Sequence, residues 1–160
     1  MHIRPAQPSE AHVVAGLLSA AAEKLRRQGQ PLWAADDVSE AAVAPQVRGG
    51  LYHLAFDGEV PVGVFRFQLD DRAFWPDIDE GTSAFVHSLA VAPERQGQEL
   101  AQVLLRHACE LARQSGRGFL RLDCVSGRPK LRAIYERFGF RLHSQKKIGS
   151  WLFDRFELKL

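Results

Sequence analysis

Cysteine is close to absent: Cys109 and Cys124 are the only two in 160 residues. Both fall in segments that read as regular structure, one helical and one extended, so no disulfide framework is expected. Both should be reduced, which favours a cytoplasmic setting. No Cys/His spacing resembles a zinc site, and no metal is expected. Long apolar runs are missing, and the first residues lack the pattern of a signal peptide, so a membrane is not an expected partner. An excess of one charge is missing too, with 21 Lys+Arg against 19 Asp+Glu and a formal net charge of +2. Without a basic stripe interleaved with aromatics, nucleic acid is not an expected ligand. There is no Gly-Lys-(Ser/Thr) phosphate loop and no full dinucleotide glycine pattern, which argues against an ordinary nucleotide-binding enzyme. Repeats, low-complexity segments and linkers are absent as well.

What remains has the composition of a soluble globular protein, 46% apolar and 25% charged,. Its length suits one domain over residues 1–160. The stretch from Ser83 to Ala112 organises the rest. It reads as a buried strand, a short turn containing Gly97, and a long amphipathic helix. A strand that feeds a glycine turn opening a helix leaves backbone N–H groups unpaired at a positive dipole end. Such a turn suits the phosphates of a nucleotide-like cofactor.

In chain order, His2 to Arg4 is a short strand. Ser9 is placed to cap a helix whose apolar face carries Val13, Val14, Leu17, Leu18, Ala21 and Leu25 and which stops near Gly29. Asp37 or Ser39 caps a second helix through Val47. Leu51 to Phe56 and Val62 to Leu69 form a hairpin across Asp57-Gly58. Residues 70–80 hold five acidic side chains, together with Arg72, Phe74 and Trp75, and are expected to be an exposed loop. Phe119 to Cys124 is a strand parallel to the central one if the intervening helix crosses over. Pro129 opens a last helix with Leu131, Ile134, Tyr135 and Phe138 inward, and Gly139 ends it. Two terminal strands pair antiparallel. The order implies an α/β fold with helices around one mixed sheet.

Leu89-Ala90-Val91, Pro93 and Gln96-Gly97-Gln98-Glu99-Leu100-Ala101 resemble the acetyl-CoA signature of the GCN5-related N-acetyltransferases, (Arg/Gln)-x-x-Gly-x-(Gly/Ala) after a strand ending in Val-x-Pro. Glu99 stands where that pattern has glycine. Leu120 to Cys124 and then Leu131 to Phe140, with its Ala-x-Tyr-Glu-x-x-Gly-Phe run, resemble the family's second conserved region. The resemblance implies a largely antiparallel mixed sheet with a central parallel pair. It also implies acetyl-CoA as acyl donor, a small-molecule amine as acceptor, direct transfer in a ternary complex, and compatibility with a homodimer.

By the same resemblance, the backbone from Gln96 to Ala101 would cradle the pyrophosphate. The main chain of Leu89, Ala90 and Val91 would lie beside the pantetheine arm. Arg128 stands where relatives carry a cofactor-binding Asn, with Arg95, Lys130 and Arg132 available to help. Tyr135 matches the tyrosine near the thioester sulfur. His87 is the candidate base, since a neutral imidazole accepts a proton near pH 7. Period-two alternation would place it on one strand face with Phe85, Leu89 and Val91. Trp33 and Trp75, with the acidic loop, are candidate acceptor-binding groups suited to a cationic amine. The rival reading is a non-catalytic acyl-CoA-binding regulatory domain, which Glu99 favours and His87 with Tyr135 disfavours.

Overall fold

The computed structural model describes residues 1–160. Seven strands and four α-helices follow one another as β1 His2–Pro5, α1 Ala11–Arg27, α2 Glu40–Arg48, β2 Tyr52–Asp57, β3 Val60–Gln68, β4 Ser83–Val91, α3 Leu100–Gln114, β5 Phe119–Val125, α4 Pro129–Phe138, β6 Arg141–Ile148 and β7 Trp151–Lys159. The strands form one mixed sheet in the order β1-β2-β3-β4-β5-β7-β6. β4 and β5 are its parallel pair, in register from Ser83↔Phe119 to Val86↔Leu122. The expected fold class is the observed one. No helix is long and apolar enough to cross a membrane.

The chain divides into two compact units. The first comprises Met1–Arg66 and Ser88–Leu104. Its core forms because α1 presents Val14, Leu17, Leu18 and Ala21 at helical spacing, and these pack with Val43 and Val47 of α2 and Leu54 and Val64 of the hairpin,. The helix starts differently from expectation. Ser9 does not cap it. The Glu10 carboxylate instead accepts from the Gln7 backbone N–H at 2.8 Å and takes both terminal nitrogens of Arg4. A carboxylate serves better at a positive helix end and brings its own counter-ion. Ser39 caps α2 as read, accepting from the Ala42 N–H.

The second unit comprises Phe67–His87 and Leu105–Leu160. Here the expectation of an exposed loop after β3 fails at two residues: Asp71 and Trp75 are buried. The cause lies on β5 and β7. Arg155 donates to both Asp77 carboxylate oxygens at 2.7 and 3.0 Å, to the Phe74 carbonyl at 3.0 Å and to the Ser144 hydroxyl. Its guanidinium also lies 4.6 Å from the centre of the Trp75 ring. Arg121 approaches the same ring at 5.1 Å, donates to Ser83 Oγ and pairs with Glu157, its cross-strand neighbour. Two buried arginines thus hold the indole, and the indole draws the loop down.

Both strong ion pairs depress a carboxyl. Arg155 holds Asp77, and Arg4 holds Glu10, each at about 2. Groups lowered on folding add stability that is fully present above their ordinary values and is lost as the pH falls through the lowered ones. Urea midpoints should therefore be level above about pH 5 and fall between about pH 4 and 2. Arg155→Met should cost about 3 kcal/mol at neutral pH, near the low end for breaking a buried pair because Asp77 stays half exposed,. It should also flatten part of the acid decline, and a series of urea melts against pH measures both.

Candidate functional site

β4 is apolar from Ala84 to Val86 and then changes character. Ser88 has a φ of 50°, and it and Glu99 are the chain's only non-glycine residues with positive φ. A left-handed residue interrupts the pleat, as in a bulge, and counting by twos fails beyond it. The expected alternation therefore covers Phe85 and His87 but does not extend to Leu89 and Val91. Instead Ala90 joins the first unit's core.

His87, directly before the interruption, is held on two edges. Its Nε2 lies 2.6 Å from Asp71 Oδ2, and its Nδ1 lies 3.8 Å from Asp123 Oδ2. The three side chains are 9%, 3% and 6% exposed. Phe74 leans on the imidazole with ring centres 5.4 Å apart and meets Phe153 edge-on. Asp71 is itself fixed: its other oxygen accepts from the Phe74 N–H and its carbonyl from the Trp75 N–H. In a neutral imidazole that donates from Nε2 to the Asp71 carboxylate, the Nδ1 lone pair is left on the Asp123 side,. A separation of 3.8 Å is too long for a hydrogen bond. Asp71, His87 and Asp123 also offer three ligand atoms within 4.8 Å of one another, a donor set that could hold a cation.

Tyr135 sits on α4 against Phe140 and Phe156. Burial, helped by Cys124 and Asp123, pushes its phenol well above the ordinary value. It keeps its proton throughout the physiological range and so remains able to donate a hydrogen bond. Burial likewise raises both thiols, Cys124 to about 12. Neither forms a thiolate near pH 7, so an acyl-cysteine route has no nucleophile.

The turn before α3 lies in the first unit. The N–H groups of Gly97, Gln98, Leu100 and Ala101 donate to no backbone carbonyl, while those of Gln102 and Val103 donate to Glu99 O. The turn is braced by side chains. Gln96 donates to the Val91 carbonyl and accepts from Lys24, and Arg95 donates to Gln98 and pairs with Asp57. Gly97 has a φ of 81° and nothing near the position a Cβ would take. Outward N–H groups, a helix N-terminus and a bare glycine fit a pyrophosphate. Glu99 is exposed, so its carboxylate is not wedged into the turn. Its φ of 60° explains why glycine is the ordinary residue there,.

The other expected residues are dispersed. Arg128 flanks the start of α4 and its carbonyl accepts from Arg132 N–H. Arg132 pairs with Glu136. Trp33 packs on the first unit's core, and Trp75 belongs to the second unit. Asp71 and Asp123 as partners of His87 were missed. Asp123 follows Arg121 by two on β5, a weak signal. Nothing distinguishes Asp71 among the five acids of its loop.

The profile of the Acetyltransferase (GNAT) family matches residues 18–140. The chain belongs to that family and is an acyltransferase of its kind. It is 27% identical over 158 residues to the uncharacterized N-acetyltransferase YesJ of Bacillus subtilis (strain 168), covering 94% of this chain and 87% of that one. A GNAT-family acetyltransferase from Listeria monocytogenes 4b F2365 shares the fold with a TM-score of 0.81 at 22% identity, over 99% and 94% of the two chains. The structure of yncA from Salmonella typhimurium with its cofactor acetyl-CoA gives 0.74 at 19%, over 99% and 93%. The paia N-acetyltransferase of Thermoplasma acidophilum in complex with coenzyme A gives 0.76 at 15%, over 99% and 98%.

A left-handed non-glycine residue costs roughly 1 kcal/mol. Glu99→Gly should accordingly stabilise the protein by up to about 1 kcal/mol in urea unfolding, whereas Gly97→Ala should destabilise it by a similar amount.

Proposed function

We propose that the protein transfers an acetyl group from acetyl-CoA to a primary amine of a small molecule, by direct attack in a ternary complex. The observation that carries this reading is the pinned imidazole of His87. With Nε2–H committed to Asp71, the proton of an incoming ammonium has one place to go, Nδ1. The imidazolium so formed would lie between the Asp71 and Asp123 carboxylates.

The remaining parts follow from the chain itself. The N–H groups of Gly97, Gln98, Leu100 and Ala101 would bind the pyrophosphate, with Arg128 as a further phosphate ligand. The main chain of Leu89, Ala90 and Val91 would pair with the pantetheine arm, and a backbone N–H near Leu89 would face the developing oxyanion. The Tyr135 phenol, which keeps its proton near neutrality, would donate a hydrogen bond to the leaving thiolate, which stabilises it until the sulfur takes up a proton from solvent,. The two raised thiols support direct transfer over a covalent intermediate. No metal is required by this scheme.

The test has two stages. Calorimetric titration should show acetyl-CoA binding in the micromolar range to the unaltered chain. Binding only after Glu99→Gly would replace this reading with that of a non-catalytic acyl-CoA-binding domain. Steady-state assays on an amine panel should then show kcat lowered about 10²- to 10⁴-fold by His87→Gln and by Tyr135→Phe, with acetyl-CoA affinity kept. Undiminished turnover in either variant removes that residue from the mechanism.

A further inference from the structure

His87 Nε2 faces Asp71 Oδ2 at 2.6 Å, yet Asp71 lies in the stretch between β3 and β4, which has neither strand nor α-helix. Within that stretch the Phe74 N–H donates to Asp71 Oδ1 at 3.1 Å, and the Trp75 N–H donates to the Asp71 carbonyl at 3.0 Å. Phe74 therefore meets the imidazole twice. Its N–H holds the carboxylate, and its ring lies 5.4 Å from the imidazole, centre to centre. Whatever fixes Phe74 fixes both contacts.

That fixing comes from β7. Arg155 Nη1 donates to the Phe74 carbonyl at 3.0 Å and to Asp77 Oδ1 at 2.7 Å. Nη2 donates to Asp77 Oδ2 at 3.0 Å, and Nε donates to Ser144 Oγ at 2.8 Å. The hydrogen bonds from the sheet to residues 71–77 come from His87 and Arg155. Phe153, two residues earlier on the same strand face, receives the Phe74 ring edge-on,. Asp123 stands opposite Arg155 on β5, and its Oδ2 lies 3.8 Å from His87 Nδ1. One position on β7 thus relates the carboxylates on both edges of the imidazole, Asp123 through the ladder and Asp71 through Phe74. The planar guanidinium fork reaches Phe74, Asp77 and Ser144 together. An ammonium there would keep the attraction to Asp77 but could not span all three.

An ionised carboxylate only accepts, so Asp71 held against Nε2 keeps the imidazole hydrogen on that nitrogen. The geometry points to Arg155 as a positioning residue for the reaction: its bond to the Phe74 carbonyl holds Asp71 on Nε2 and so keeps His87 in the tautomer whose Nδ1 accepts a proton. This rests on the acetyl-transfer reading and adds to it a residue that touches neither substrate nor base.

Nitrogen-15 NMR of the histidine rings reads the tautomer directly, with the His87 signals assigned by their loss in His87→Gln. At alkaline pH the unaltered protein should show a single His87 tautomer, with hydrogen on Nε2 and a bare Nδ1. Arg155→Lys keeps the charge and should still unfold cooperatively in urea. It should nevertheless show the averaged shifts of a ring exchanging between tautomers, and kcat should fall about 10²-fold with acetyl-CoA affinity kept. Arg155→Met should do the same with a larger loss of stability. Arg4→Met breaks the ion pair with Glu10 in the first unit and serves as the destabilised control. It should leave both the signature and kcat unchanged. A folded Arg155→Lys that retains the single tautomer overturns the inference, as does one that loses it without losing turnover. Exchange between tautomers in the unaltered protein overturns it too. Loss of the signature in Arg155→Lys, with no transfer by the unaltered chain to any amine, would leave the link from Arg155 to His87 standing and remove the acetyltransferase reading instead.

Discussion

The second unit depends on the Arg155 guanidinium. A buried arginine is costly unless all of its donors are used, and here Asp77, Phe74 and Ser144 take them while the Trp75 ring covers one face. The same contacts fix the loop that carries Asp71. That loop has no strand or α-helix of its own to hold it. Ion pairing and cation–π contact at Arg155 act together with the packing of Phe74 on Phe153 and of Trp75 by Phe85 to seat it. The position of Asp71 against His87 is thus set from β7, by a residue that touches neither.

Two residues accept unfavourable backbone conformations, Ser88 and Glu99. Both flank the segment that the acyl-transfer reading uses. Strain of this kind persists only where surrounding structure enforces it. At Ser88 the enforcing structure is the paired first half of β4, fixed to β5 by the ladder through Val86, together with Ala90 and Ala92 in the first unit's core. At Glu99 it is α3, whose Gln102 and Val103 N–H groups close onto the Glu99 carbonyl. The chain changes direction at each point, and each turn leaves backbone groups outside the regular ladders.

The fold was legible because its signals are local and repeat: helical spacing in α1, the Asp57-Gly58 hairpin, the Gly139 stop after α4. The glycine turn before α3 was legible for the same reason, as a short motif between a strand and a helix. What could not be read was anything that depends on a distant arginine. Residues 70–80 look solvated by composition, and no local rule says that Trp75 will meet Arg121 and Arg155 or that Asp71 alone will turn inward. Alternation also misled past His87, because a serine in left-handed conformation leaves no mark in the sequence. The helix start at Ser9 was misread where Arg4 gave Glu10 a partner that local capping rules do not include.

The titrating groups divide the chemistry by burial. Tyr135 and Cys124 are both neutral acids in apolar surroundings beside Asp123, and both keep their protons for that reason. A thiol that keeps its proton is inert as a nucleophile, whereas a phenol that keeps its proton is still a donor. The same environment therefore makes the thiol inert and leaves the phenol a hydrogen-bond donor. His87 differs from both because its proton acceptor is already supplied: Asp71 fixes which nitrogen carries hydrogen, and orientation rather than burial decides what the ring can do. The contact with Asp71 holds the imidazole in one orientation, and burial holds the Tyr135 proton in place, so both groups are set by the fold itself.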